Sequence, residues 1–186
     1  MAIIPGRPNT AVLIIDMQVD VLEGCFDRDG VVARTAALVE RARAEGSHVI
    51  WVQHDDEDLA HGSAGWQIAP ELAPVVSEGR VFKNYRDSFV GTTLALLLED
   101  AKASRLVIAG AQSDYCVRTT ARRAAAEGYD VALVRDCHTT TDAEFDGVPV
   151  TGEQVVAHTN QYFSGFSYPG QAIGLATHDA VELSGQ

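Results

Sequence analysis

The chain is 186 residues long, 46% hydrophobic and 22% charged, the proportions of one ordinary globular domain spanning residues 1–186. Its Lys and Arg number 14 against 26 Asp and Glu, and the formal net charge of −12 repels phosphate backbones and excludes nucleic acid as a partner. No apolar run approaches the roughly 20 residues of a membrane span, the N-terminal residues lack the apolar stretch of a signal peptide, and three cysteines without CxxC spacing fit free thiols in the cytoplasm.

In chain order, Ala11 to Ile15 (AVLII) reads as a buried strand that ends on Asp16. Val31 to Glu45 carries a helical apolar stripe and stops at Gly46. Ser47 to Gln53 is the second strand and Arg80 to Lys83 a very short third one. Between them, Asp55 to Pro74 is the one long irregular stretch, expected as a lid or an oligomer contact. Thr92 to Ala101 is a helix, and Arg105 to Ala109 a strand closed by Gly110. Asp114 to Glu127 is a helix capped by Asp114 or Ser113 and stopped by Gly128. Tyr129 to Val134, a helix over Thr151 to Phe163 and a weak strand over Gln171 to Leu175 complete the pattern. Strands that are apolar throughout, separated by amphipathic helices, predict an α/β fold: a doubly wound, mostly parallel sheet of about six strands with helices on both faces. Such sheets place their sites at the carboxyl ends of the strands.

Three residues at such ends carry candidate chemistry. Cys116 lies in the first turn of a helix that follows a strand and a Gly-containing turn, where backbone N–H groups favour a thiolate and hold an oxyanion; as a lone cysteine it also fits a small buried hydrophobe. Asp16, directly after a strand, suits a general base, or else a helix cap or ion-pair partner. Lys83, between Phe82 and Tyr85 in sequence, suits a cation that holds both as anions, or else a snorkelling surface lysine.

The segments LIIDMQ, VFKNYRDSFVGTTL and VIAGAQSDYCVRTTARRAAAEGYDV, in that order, resemble the isochorismatase-like cysteine hydrolases, a family that includes nicotinamidases and N-carbamoylsarcosine amidases. The resemblance runs from about Thr10 to the sixth strand and implies a catalytic triad of Asp16, Lys83 and Cys116. It also implies a cis peptide between Ala111 and Gln112, and an oxyanion hole built from the N–H groups of Gln112 and Cys116. Many relatives carry Thr where this chain has Gln112. The metal-binding nicotinamidases use an Asp-x-His motif after the second strand; here that region reads VQHDDEDLAHGSAGW, with His54, Asp55 and His61 in another order, so no metal and no cofactor are expected. Relatives that hydrolyse isochorismate itself lack the cysteine. Cys116 therefore points to cleavage of an amide, ureido or lactam carbon–nitrogen bond in a small molecule, through a thioester.

Trp66, Tyr85, Phe89 and Tyr115 are the aromatics nearest the motifs in sequence and the candidate pocket for a flat substrate. His138 is expected in a hydrogen-bonded structural role, and Cys25 in an exposed loop. Two rival classes stay open: a weakly active or inactive small-molecule-binding protein on the same fold, and a redox-responsive protein in which Cys137 approaches Cys116. A homodimer or homotetramer is expected, as the resemblance implies and as the aromatic run QYFSGFSYP over 161–169 adds if its rings lie outside; they equally fit beneath the last strand.

Overall fold

A computed structural model describes residues 4–184. β1 (Asn9–Ile15) is followed by α1 (Arg28–Ala44), β2 (His48–His54) and, after a single 3-10 turn at Pro70–Leu72, β3 (Gly79–Lys83). Then come α2 (Leu94–Asp100), β4 (Ala103–Ala111), and a π-helical turn at Ser113–Val117 that runs directly into α3 (Arg118–Ala126). β5 (Asp130–Thr139), β6 (Ala143–Phe145), β7 (Val148–Val150), α4 (Gly152–Ser164) and β8 (Ile173–Ala176) complete the chain.

The main sheet has the order β3-β2-β1-β4-β5-β8, and all its neighbours are parallel. This is the doubly wound arrangement the apolar runs predict. Alternation along each strand feeds two cores. Val12, Ile14, Trp51, Val107 and Val134 face α1 through Leu38 and Val39. Leu13, Ile15, Val52, Ile108 and Leu133 face Leu94 and Leu98 of α2, Ala121 and Ala124 of α3 and Phe163 of α4. Both faces are covered, which is why the strands read as unbroken apolar runs.

The direction of chain crossing reverses between β1 and β4, the switch point where such sheets open a crevice. The two strands approach closely there. Gly110 pairs with Ile15 at φ +137°, and a Cβ on it would lie 2.0 Å from the Ile15 carbonyl oxygen. Gly110→Ala is therefore expected to destabilise the fold by about 2–5 kcal/mol, combining backbone strain with overpacking. Urea unfolding reads this against Gly174→Ala, whose Cβ meets nothing within 4 Å and which should shift the midpoint little.

Two features differ from the sequence reading, and a third decides between its two alternatives. β5 extends to Thr139, because its polar second half still pairs with β4 at Gly110 and Ala111. The segment after it forms the antiparallel β6–β7 hairpin, turned by Asp146 and Gly147, both at positive φ. The aromatic run near 161–169 packs inward: Phe163 is fully buried, Tyr162 and Phe166 pack on the same core, and Arg118 lies 4.7 Å above the Tyr162 ring. Only Tyr168 of the four is markedly exposed, so the expected oligomer loses this local ground. Among the described residues no helix is long and apolar enough to cross a membrane.

Candidate active site

Asp16 follows β1 at φ +49°, a left-handed conformation uncommon outside glycine, with its N–H bonded to the Val52 carbonyl at 2.8 Å. That kink turns its carboxylate into the crevice at 1% exposure. Lys83 is the last residue of β3, two strands away, and the sheet register sets it beside His54 of β2. Its side chain is wholly buried and spans the end of β2. The ammonium has three acceptors: Asp16 Oδ2 at 2.7 Å, Cys116 Sγ at 3.2 Å and His54 Nδ1 at 3.4 Å. His54 Nε2 lies 2.9 Å from the Asp56 carboxylate, which only accepts. Nε2 therefore carries the imidazole proton and Nδ1 is left to accept from Lys83.

Cys116 sits in the π-helical turn directly after the cis peptide Ala111–Gln112, the bond the resemblance implies. The Gln112 carbonyl accepts from the N–H groups of Tyr115 and Val117, which closes the turn beneath the thiol. Ser113 Oγ and His138 Nδ1 lie 2.8 Å apart, and His138 Nε2 lies 3.1 Å from Asn160 Oδ1. Burial pushes the His138 imidazole down, so it braces the turn as a neutral group. The remaining motif residues are braces too. Gln18, fully buried, donates to the carbonyls of His54 and Trp66 and accepts from the His54 N–H. Ser88 bonds Thr120 Oγ1 at 2.8 Å, tying the segment after Lys83 to the helix after Cys116.

Electrostatics correct one expectation. Burial, and after it the Asp16 carboxylate, push the Cys116 thiol up to about 12, with Lys83 pulling the other way. Burial likewise raises Asp16, against the pull of Lys83. The resting site therefore holds a thiol beside a basic carboxylate, not the preformed thiolate that the helix-start position predicts. Lys83→Met should raise the thiol further, and it strands a buried carboxylate at a cost of about 3–5 kcal/mol. Iodoacetamide labelling of Cys116 against pH checks the first effect and thermal unfolding the second; an Asp16→Asn/Lys83→Met double variant should recover most of the lost stability.

Asp16 and Cys116 open into a cleft of 890 Å³, with Lys83 buried behind them. Of the four candidate pocket aromatics, Tyr85 and Tyr115 line it, with Arg86 stacked 4.0 Å over the Tyr115 ring. Trp66 and Phe89 do not. Trp66 packs against His61 and Phe82, and Phe89 against Tyr129, because neighbours in sequence point to different faces. Cys25 is buried rather than exposed, its thiol donating to the Val21 carbonyl. Cys137 lies in the core on the α1 face while Cys116 packs on the opposite core, so the sheet separates them. His54, Asp55 and His61 do not converge as ligands; among the described residues, only Asp136, Cys137 and His178 gather three such atoms, and there Asp136 already bonds both the N–H and Nδ1 of His178. His54 was legible only as a histidine; its place beside Lys83 depends on β2–β3 register.

A family model for the isochorismatase domain matches residues 10–147. The chain is 37% identical over 143 residues to a streptothricin hydrolase of Streptomyces noursei, an alignment covering 73% of this chain and 56% of that protein. It thus spans about half the length of the streptothricin hydrolases it matches. A solved isochorismatase from Pseudomonas putida KT2440 superposes with a TM-score of 0.84 at 26% identity, covering 94% of this chain and 91% of the other. A cysteine hydrolase from Pseudomonas syringae pv. phaseolicola 1448A shares the fold, with a TM-score of 0.82 at 21% identity and coverage of 96% and 93%.

Proposed function

This chain belongs to the isochorismatase family, and from that premise we propose that it is a cysteine hydrolase that cleaves a carbon–nitrogen bond of a small amide, ureido compound or lactam. The observation that carries the proposal is the convergence of Asp16 and Cys116 on one buried cation: Lys83 Nζ lies 2.7 Å from Asp16 and 3.2 Å from Cys116.

In the proposed reaction Asp16 takes the Cys116 proton as the sulfur attacks the carbonyl carbon, so the thiolate exists only as it is used. Its raised basicity suits that transfer. The carbonyl oxygen becomes an oxyanion held by the N–H groups of Gln112 and Cys116; one such donor typically contributes about 100- to 1,000-fold in rate. Collapse breaks the C–N bond, and the proton on Asp16 passes to the leaving nitrogen. Water then gives a proton to Asp16 and attacks the thioester, releasing the acid and restoring the thiol. Lys83 keeps its proton throughout and stabilises whichever partner is anionic. No cofactor takes part, and the cytoplasm suits the three free thiols.

A panel of carboxamides, ureido compounds and lactams, followed by release of ammonia or amine, tests this directly. Turnover of at least one member, undiminished by EDTA, is the expected result. Inertness toward the whole panel, or activity lost to EDTA and restored by zinc, contradicts it.

A further inference from the structure

The cleft is charged unevenly. Asp20, Glu23 and Asp56 line it against one cation, Arg86, whose guanidinium is stacked on Tyr115. Asp16 and Lys83 neutralise one another beneath it. Asp56 is already engaged, bonded to His54 and to the backbone N–H groups of Asp58 and Leu59. Asp20 and Glu23 form no salt bridge among the described residues; Arg28, in a neighbouring hollow that they also line, is paired with Asp29 and Glu71.

Both are exposed, on a segment that is held in place. The segment that carries them is pinned at one end by the pairing of Gln18 with Ile68 and at the other by that of Cys25 with Thr141. Leu22, between them, is fully buried. The Asp20 N–H bonds the Gly65 carbonyl at 3.0 Å, and its carboxylate packs so closely over Gly65 that any Cβ there would collide with it. A second, independent feature asks for a donor. Asp16 Oδ1, in a residue 1% exposed and lining the same cleft, has no hydrogen-bond partner among the described residues.

We propose that the cleft selects positively charged amides, with Asp20 and Glu23 receiving the cationic group and the scissile N–H facing Asp16 Oδ1. The proposal rests on the hydrolase reading above and names its substrate class. A charged rim on a low-dielectric cleft raises the local concentration of the opposite charge by about 10- to 1,000-fold, and salt screens the effect.

Two experiments separate this proposal from the reading beneath it. The first needs no substrate. Cys116 is modified with trimethylammonium-ethyl and sulfonatoethyl methanethiosulfonates, in which the thiolate displaces methanesulfinate to form a mixed disulfide, and the site is verified by peptide mapping. The cationic-to-anionic rate ratio, divided by that of 2-mercaptoethanol, should exceed about tenfold at low salt. It should fall toward one in Asp20→Asn/Glu23→Gln and persist in Glu45→Gln/Asp100→Asn, which neutralises two acids just before β2 and β4, at the opposite end of the strands from the cleft. A ratio equal to that of the free thiol, or one that survives Asp20→Asn/Glu23→Gln, overturns the proposal. The second compares kcat/KM for matched cationic, neutral and anionic amides. Preference for the cationic member, lost in the same double variant, supports it. Equal turnover of all three overturns charge selection while leaving the hydrolase reading standing. Turnover of none, with the reagent ratio intact, overturns the hydrolase reading and the substrate class with it, but leaves the charged cleft.

Discussion

Cys116→Ala should lower amide turnover by at least about 10,000-fold, because it removes the atom that forms the covalent intermediate, and loss of a nucleophile from a cooperating triad is not compensated by its partners. The fold should survive. Cys116 sits at the cleft, half-buried, and its loss leaves Asp16 and Lys83 paired at 2.7 Å. The comparison variant is Cys137→Ala, in the opposite core. It should cost about 1–3 kcal/mol of stability and leave turnover intact. The two variants thus move different readouts, kinetics for one and unfolding for the other. Turnover retained in a clean Cys116→Ala preparation would remove the nucleophile assignment.

Asp16→Asn should act in opposite directions on two measurements of the same protein. Turnover should fall by about 1,000-fold or more, since the amide cannot take the thiol proton. Thiol labelling at pH 8 should rise, because the neighbouring anion that helps push Cys116 up toward about 12 is gone. A merely structural aspartate would depress both together. The parent pH profile carries the same signature. The base must be ionised to act, and burial raises Asp16, so the acidic limb of kcat/KM should lie above the ordinary carboxylate range and disappear with Asp16→Asn. A limb at an unshifted carboxylate value, or labelling that slows in Asp16→Asn, would assign proton transfer elsewhere.

How far this site could be read from sequence depended on the kind of interaction. The strands of the main sheet were legible because a sheet covered on both faces writes continuous apolar runs, as AVLII and RLVIA show. Asp16, Lys83 and Cys116 were legible because each stands at or just after a strand end within a recognisable motif. The β6–β7 hairpin leaves little trace in the sequence because all eight of its residues are exposed and show no apolar alternation, although Asp146–Gly147 is a hairpin turn pair. Trp66 and Phe89 lie away from the cleft, because proximity along the chain does not give side-chain direction. The sign of the Cys116 shift depended on burial, which motif position does not report. His54 reaches Lys83 only through strand register, and Asp20 and Glu23 look like ordinary solvated acids on a chain of net charge −12 until the cleft between the loops is seen.

Hydrolysis through Cys116 requires a covalent acyl group on its sulfur. Acid-quenched mass spectrometry of the protein during turnover of an amide from the panel, followed by peptide mapping, measures it. The expected result is a mass increase equal to the acyl portion of the substrate, located on the peptide that carries Cys116, labile to hydroxylamine and absent from Cys116→Ala. Turnover without any adduct on that peptide under single-turnover conditions, or an adduct that persists in Cys116→Ala, would contradict it.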